Sequence, residues 1–339
     1  MTHQPPTALF DTPFDDLPNP KRVWAGDAGS REEGLGRLAL LTPEVVAQAA
    51  AQEIKSGKRI GLDWDMRMMD VSSRSRPTCQ HHILTTLNGA ANDDMYIFNP
   101  QQSSQWDGFR HFSQPFNVNE PSSDPITTAS QATSARVFYG GTTLTEIRNR
   151  SSGRIGTQHW AQEGIAGRGV LIDYASWALS NNISFSAFEQ HHISLETIRT
   201  IATECAIEFR RGDILFVRTG LTSEYEGMSL VDKHALNARK PLHAGVEATR
   251  DVLRWLWDTK FSAVAGDGLS WESYPSKTPD IFMHEWLLAG WGMPIGELFD
   301  LERLSRVCKE LNRWTFFVTS MPLNMVGGVS SPPNAMAIF

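Results

Sequence analysis

Apolar residues recur along the chain with two distinct rhythms. Between Thr42 and Gly57, Val46, Ala49, Ala50 and Ile54 fall on one helical face. Thr42 is a cap residue, Pro43 suits the first helical position and Glu44 favours the positive end, while Gly57 offers a stop. Similar spacing predicts a helix over about 194–206, with Ile198, Ile201 and Cys205 inward. Another is expected over about 245–259 (Val246, Val252, Leu253, Leu256), and a fourth begins at an Asp300 cap, with Leu301, Leu304, Cys308 and Leu311 inward. Short dense apolar runs lie between them at 169–173, 213–218, 261–267 and 315–319, and these read as strands. Helices alternating with such strands predict an α/β domain.

Residues 1–40 are rich in Pro, Asp and Gly and read as an irregular arm draped over the surface, free to cross to a partner. No repeat, low-complexity tract or linker interrupts residues 41–339, which read as one continuous domain. A hydrophobic fraction of 41% with 20% charged residues is that of an ordinary globular chain and excludes a mainly disordered one. No apolar run of ~18 residues is present, which excludes a membrane-spanning helix. A net charge of -7 without a basic patch argues against nucleic acid as a partner and leaves a small molecule as the expected ligand. Cys79, Cys205 and Cys308 are far apart, and no C-x-x-C occurs, so neither a disulfide scaffold nor a thiolate zinc site is expected. The first twenty residues lack a basic stretch followed by an apolar one, so a cytoplasmic setting is the expectation.

Chemistry-bearing residues gather at strand ends and in two clusters. Asp173, the Arg218-Thr219-Gly220 triplet and Asp267 all follow predicted strands, where α/β folds commonly bind ligands. Asp and Gly also simply make turns there. Asp267, within Gly-Asp-Gly and close to Trp271 and Glu272, is taken as a substrate-side candidate. The first cluster is the segment 101–111, which offers Gln101, Gln105, Asp107 and His111. The second is His284 with Glu297. Together Asp107, His111, His284 and Glu297 would make the mixed oxygen and nitrogen site that zinc and manganese accept. Spacing alone does not tie the clusters together. His81 and His82, as neighbours on a strand, point to opposite faces, so one of them, His81, remains as a pocket-lining candidate. His191-His192 meets the same objection and reads as surface. No G-x-G-x-x-G follows a strand and no G-x-S-x-G elbow occurs, which leaves dinucleotide binding and serine hydrolysis without support.

The segments Ser104-Gln105-Trp106-Asp107-Gly108-Phe109-Arg110-His111, Gly169-Val170-Leu171-Ile172-Asp173, Gly212-Asp213-Ile214-Leu215 with Arg218-Thr219-Gly220, the stretch from His284 to Glu297, and the closing Ser331 to Phe339 carry a resemblance in this order. The chain resembles the cyclase family, which includes bacterial kynurenine formamidase and isatin hydrolase, and its closing segment resembles a fungal-type branch. The resemblance begins at about Asp15. It implies a swivelling β/β/α fold, a central mixed sheet or flattened barrel flanked by helices, that commonly pairs as a homodimer. The family pattern is H-x-G-T-H-x-D-x-x-x-H. Its first two His fall on Gln101 and Gln105, its Asp on Asp107 and its last His on His111. By resemblance, Asp107 is a metal ligand, His111 the acid/base residue, and His284 and Glu297 complete the metal site.

Replacing both leading His by Gln changes the expected chemistry, because an amide oxygen is a much poorer zinc ligand than imidazole. Two outcomes stay open. One ion, zinc or manganese, is held by Asp107, His284 and Glu297 or Gln105 and assists hydrolysis of an amide, lactam or lactone. Alternatively the ion is lost, and His111 with Asp107, or His284 with Glu297, drives cyclisation, dehydration or isomerisation of a small metabolite. A non-catalytic binding protein on the same fold is the third class. With 11 Trp and 17 Phe against 5 Tyr, aromatic pocket walls are expected from Trp106, Phe109 and Trp271, although core packing explains such residues as well.

Overall fold

All four dense apolar runs become strands of one sheet. A computed structural model describes residues 8–71, 76–117 and 135–339 of the chain. The sheet has nine strands, here numbered in chain order: β1 Arg59–Gly61, β2 Gln105–Asp107, β3 Ile165–Ile172, β4 Ile214–Val217, β5 Ala263–Gly266, β6 Ile295–Glu297, β7 Thr315–Ser320, β8 Ser330–Ser331 and β9 Ala335–Ile338. Their spatial order is β1-β9-β7-β3-β4-β5-β6-β2-β8. The centre, β3-β4-β5-β6, is parallel. Both flanks are antiparallel. Strands β4 and β5 are buried along their whole length, which is why they read as unbroken apolar runs rather than alternating ones. The sheet curls into a half-barrel flanked by helices, the mixed α/β architecture expected from the sequence.

The predicted helices form at Pro43–Glu53, Leu195–Glu204, Arg250–Thr259 and Glu302–Leu311. Thr42 and Ser194 cap the first two, accepting from Val45 N and Thr197 N. The third helix starts five residues later than its apolar spacing implied. Ala244–Val246 is instead a short strand parallel to His191–Ile193, and Thr249 caps the helix by accepting from Val252 N. Gly245 allows the Glu272 segment to pack closely on this strand, since a Cβ there would lie 2.5 Å from the Glu272 carbonyl carbon. Among the described residues no helix is long and apolar enough to cross a membrane.

The N-terminal arm differs from expectation. Residues 8–40 fold into four short helical turns, at Ala8–Asp11, Phe14–Asp16, Arg31–Leu35 and Gly36–Leu40. Most of their polar residues stay exposed, but their aromatic side chains turn into the core. Phe10 and Phe14 are fully buried, Phe10 edge-on to Trp257 and Phe14 against Trp286 and Trp291. The indole N–H groups of Trp257 and Trp291 donate back to the Thr12 and Pro20 carbonyls at 2.8 and 2.7 Å. Pro and Asp in this stretch set local turns, while its few aromatics supply one wall of the core. Residues 1–7 lie outside the described residues. Truncating Phe14 to Ala is expected to cost about 3–5 kcal/mol of stability, the range for a buried Phe. Urea denaturation checks this, and a surface-draped arm would show almost no shift.

Candidate active site

Strands β6 and β2 run antiparallel, with Glu297 opposite Gln105, Gly296 opposite Trp106 and Ile295 opposite Asp107. Alternation along β2 puts Gln105 and Asp107 on one face and Trp106 on the other. Gly296 is required for this pairing, since a Cβ there would lie 2.7 Å from Ala265 Cβ and 2.9 Å from the Trp106 ring. Gln105 Nε2 donates to Glu297 Oε2 across the two strands at 2.7 Å. Gln101, on the short turn Pro100–Gln102 before β2, donates through Nε2 to Asp107 Oδ1. The two glutamines that stand where the family pattern has His therefore each hold one carboxylate.

His284 arrives from the opposite direction, at the start of the π-helical turn Glu285–Gly290. Its Nδ1 lies 2.8 Å from Glu272 Oε1, and its Nε2 lies 3.1 Å from Glu297 Oε1 and 3.6 Å from Asp107 Oδ2. His111 Nε2 also lies 3.6 Å from Asp107 Oδ2. Asp107, Glu272, Glu297 and His284 are all buried. Neighbouring Glu285 takes no part, because its carboxylate is claimed by Lys21 and Arg136 at 2.9 and 2.7 Å.

Three buried carboxylates around two imidazoles shape the titration of the group. Burial works against ionised Asp107, but His111 and His284 outweigh it and hold the carboxyl below its usual range. Burial also opposes charge on His284, yet Glu272, Asp107 and Glu297 drive its pKa well above the ordinary imidazole value. Glu272 is likewise lowered by His284 against its own burial. Glu297 goes the other way: burial, reinforced by the charge of Asp107, pushes it up to about 7. Three carboxylates thus share this space with two imidazoles, inside protein where an unbalanced charge is costly.

The fit to a cation can be judged from the donors. Asp107 Oδ2 is buried and accepts no hydrogen bond, and Gln105 Oε1 is likewise unsatisfied. One ligand atom each from Asp107, His111 and His284 lies within 4.8 Å of the others. When His284 is neutral, the Glu272 carboxylate on its Nδ1 favours the tautomer that leaves the Nε2 lone pair toward the group, the arrangement common behind metal-bound histidines. The donor set fits one divalent ion. Glu297 and Gln105, also expected there, lie beside these donors and are bonded to each other through Glu297 Oε2 and Gln105 Nε2.

A two-lobed cavity opens over this cluster. One lobe, of about 250 Å³, is lined by His111, Phe112, His243, Tyr274, Phe282 and His284. The other, of about 150 Å³, is lined among others by Met69, Phe188, Tyr225, Leu236 and Lys240. Arg76, Gln101, Leu269 and Glu297 border both. A larger groove of about 1110 Å³, between the helices Leu195–Glu204 and Arg250–Thr259, is far more open and holds none of these groups.

The fold therefore brings Gln105, Asp107, His111, His284 and Glu297 together and leaves five other candidates outside the cavity. Trp106 is buried on the far side of β2, where it packs on Phe299 and donates to Ser320. Phe109 is core, wedged against Tyr139 and Trp160. Trp271 is 2% exposed and lines neither lobe. Asp267 accepts from Thr219 N, Thr219 Oγ1, Gly220 N and Leu221 N, so it ties the β4 exit to β5 rather than touching a ligand. His81 sits on an exposed hairpin, bonded to Asp94 and stacked on Tyr96. The sequence reading missed Glu272 as the partner of His284. It also missed the actual aromatic wall, Phe112, Tyr274 and Phe282. Only Phe112, beside His111, carried a signal, since the others come from irregular segments.

The sequence model of the Cyclase family, described as "Putative cyclase", matches residues 32–273. The chain belongs to the cyclase family. Solved structures share the fold. One described as a novel cyclase superposes with a TM-score of 0.74 at 24% identity, covering 91% of this chain and 97% of its own. Isatin hydrolase A from Labrenzia aggregata, bound to benzyl benzoate, gives a TM-score of 0.55 at 12% identity over 87% of this chain and 97% of its own. Isatin hydrolase A from Ralstonia solanacearum gives 0.54 at 12% identity, covering 83% and 91%. No curated protein matches the sequence. At these identities the structural likeness establishes the cyclase fold and no more.

Asp267→Ala is expected to destabilise the protein by about 2–4 kcal/mol through the orphaned donors of Thr219, Gly220 and Leu221. Folded Asp267→Ala should bind an aromatic cavity ligand such as benzamide as the wild type does. Chemical denaturation and a ligand titration read the two effects separately, and weaker binding with unchanged stability would return Asp267 to the substrate side.

Proposed function

We propose that this cyclase-family protein hydrolyses an amide, lactam or lactone bond in a small, flat or cyclic metabolite, with one divalent ion, zinc or manganese, held by Asp107, His111 and His284. The convergence of His111 and His284, which line an aromatic-walled cavity, on the unsatisfied Oδ2 of buried Asp107 carries this reading. The hydrolase names of the structural neighbours are consistent with it.

When bound, such an ion supplies Lewis acidity toward the substrate carbonyl and lowers the pKa of water. The chain's own groups do the rest. Glu272 orients His284 through Nδ1, and Gln101 holds Asp107 through Oδ1, leaving Oδ2 to the two imidazoles. Glu297 borders both lobes and is aimed by Gln105, so it is placed to take a proton from water and return it to the leaving nitrogen or oxygen. Phe112, Tyr274 and Phe282 offer the faces on which a planar substrate rests.

A second reading has its own observation. His284 Nε2 lies within hydrogen-bond reach of Glu297 Oε1, a contact that an imidazolium can make and a metal-bound imidazole cannot. In that state the pair is a metal-free acid/base device for cyclisation, dehydration or isomerisation.

Titration calorimetry separates the two. Under the metal reading, one Zn²⁺ or Mn²⁺ binds per chain. Asp107→Asn and His111→Gln then each weaken it at least ~10-fold, and Glu272→Gln weakens it ~10–100-fold as an outer partner. Glu297→Gln leaves the ion bound and lowers turnover of N-acyl aromatics or lactones ~100-fold or more. Ion affinity untouched by His111→Gln, with turnover lost, would return His111 to the proton-carrying role. Absence of ion binding, with turnover that survives a chelator, would select the acid/base reading.

A further inference from the structure

One helix of this fold is held in place without a buried apolar face. Of the nine described residues Leu230–Ala238, only Lys233 is buried, while Leu230 and Val231 are 59 and 77% exposed. The helix Arg250–Thr259, by contrast, buries Val252, Leu253, Trp255, Leu256 and Trp257. A lysine is seldom buried unless it is paired. Here Nζ lies 3.2 Å from both carboxylate oxygens of Asp70 and 4.4 Å from the centre of the Tyr225 ring. The Tyr225 hydroxyl donates to the same Asp70 at 3.1 Å. Leu236, half-buried, packs on the small cluster that includes Phe188 and Tyr225.

Both ends of this segment are rooted. Before it, the helix Leu221–Gly227 buries Leu221, Thr222 and Tyr225, and Met228 packs on the same small cluster. Ser229 then caps the exposed helix, accepting from Asp232 N. After it, Arg239 donates to the Phe188 carbonyl and pairs with Glu189. Between these roots, Leu236 and Asn237 line the second lobe of the cavity, together with Phe188 and Tyr225. The ring that holds the lysine is thus itself part of the lobe.

The kind of contact decides what the helix can do. Exposing a buried apolar side chain always costs free energy. An ammonium that leaves half-exposed Asp70 regains its hydration, which offsets much of the lost attraction. Elements with few buried apolar contacts are also the ones that open while the rest of a protein stays folded. We propose that residues 229–238 are a lid over the second lobe, with Lys233 as its latch: a small molecule enters that lobe when the ammonium leaves Asp70 and the Tyr225 ring, and is enclosed when it returns. The proposal rests on the two-lobed cavity being the ligand site, whatever chemistry takes place there.

Hydrogen exchange of the whole chain, read by mass spectrometry, tests it. Amides of 229–238 are expected to exchange ~100-fold or more faster than those of 250–259. Lys233→Gln and Asp70→Asn should each speed 229–238 by a further ~10-fold, and together no more than either alone, because both release one latch. Access to the lobe is read in a Met69→Cys background, since Met69 is 4% exposed and lines the second lobe. Modification of that thiol, located by peptide mapping apart from the three native cysteines, should quicken ~10-fold when Lys233→Gln is added. Unchanged exchange over 250–259 shows that a variant is folded. Should Lys233→Gln unfold the chain, Asp70→Asn, at a half-exposed side chain, gives the same two readings. Exchange over 229–238 as slow as over 250–259, latch variants without effect on it, or a Met69→Cys thiol indifferent to the latch would each overturn the proposal. None of these readings involves an ion or turnover, so failure of the proposed hydrolysis would leave them unmoved.

Discussion

Charge balance around His284 is the constraint on which the site depends. Asp107, Glu272 and Glu297 are buried within contact of one imidazole, with a second, His111, at its side. Buried carboxylates persist only when something positive or protonated compensates them. The chain itself offers a charged His284 and a Glu297 that holds its proton up to about pH 7, and under the proposed function a divalent ion would be a third compensation. Each gives the cavity a different chemistry.

The rest of the fold serves that geometry. The antiparallel β2–β6 pair sets Gln105 against Glu297, and the tightness of that pair rests on Gly296. Buried parallel strands β3 to β6 provide the rigid floor, while irregular segments carry the lining aromatics. Rigid elements thus hold the charged groups, and loops shape the space above them, a division common to enzymes that keep one chemistry and vary the substrate.

Much of this was legible in the chain. The runs 169–173, 213–218, 261–267 and 315–319 announced central strands because β-rich apolar sequence has few other uses. The family motif brought Asp107, His111, His284 and Glu297 forward, which spacing alone could not do. Trp106, Phe109 and Trp271 misled because large aromatics serve core and cavity equally well. Alternation already held the answer for Trp106, since a neighbour of site-facing Asp107 on a strand must face away. Glu272 left no trace, because its tie to His284 spans twelve residues of irregular chain with no period to read. The arm misled through composition: Pro, Asp and Gly describe its turns, while Phe10 and Phe14 decide where it goes.

The most direct test of the charge-balance account is anomalous diffraction at the zinc edge from crystals grown with Zn²⁺. The account predicts a single peak between Asp107 Oδ2 and the Nε2 atoms of His111 and His284, with the His284–Glu297 contact opened. Density without a peak there, with His284 still bridging Glu272 and Glu297 at saturating Zn²⁺, would contradict it.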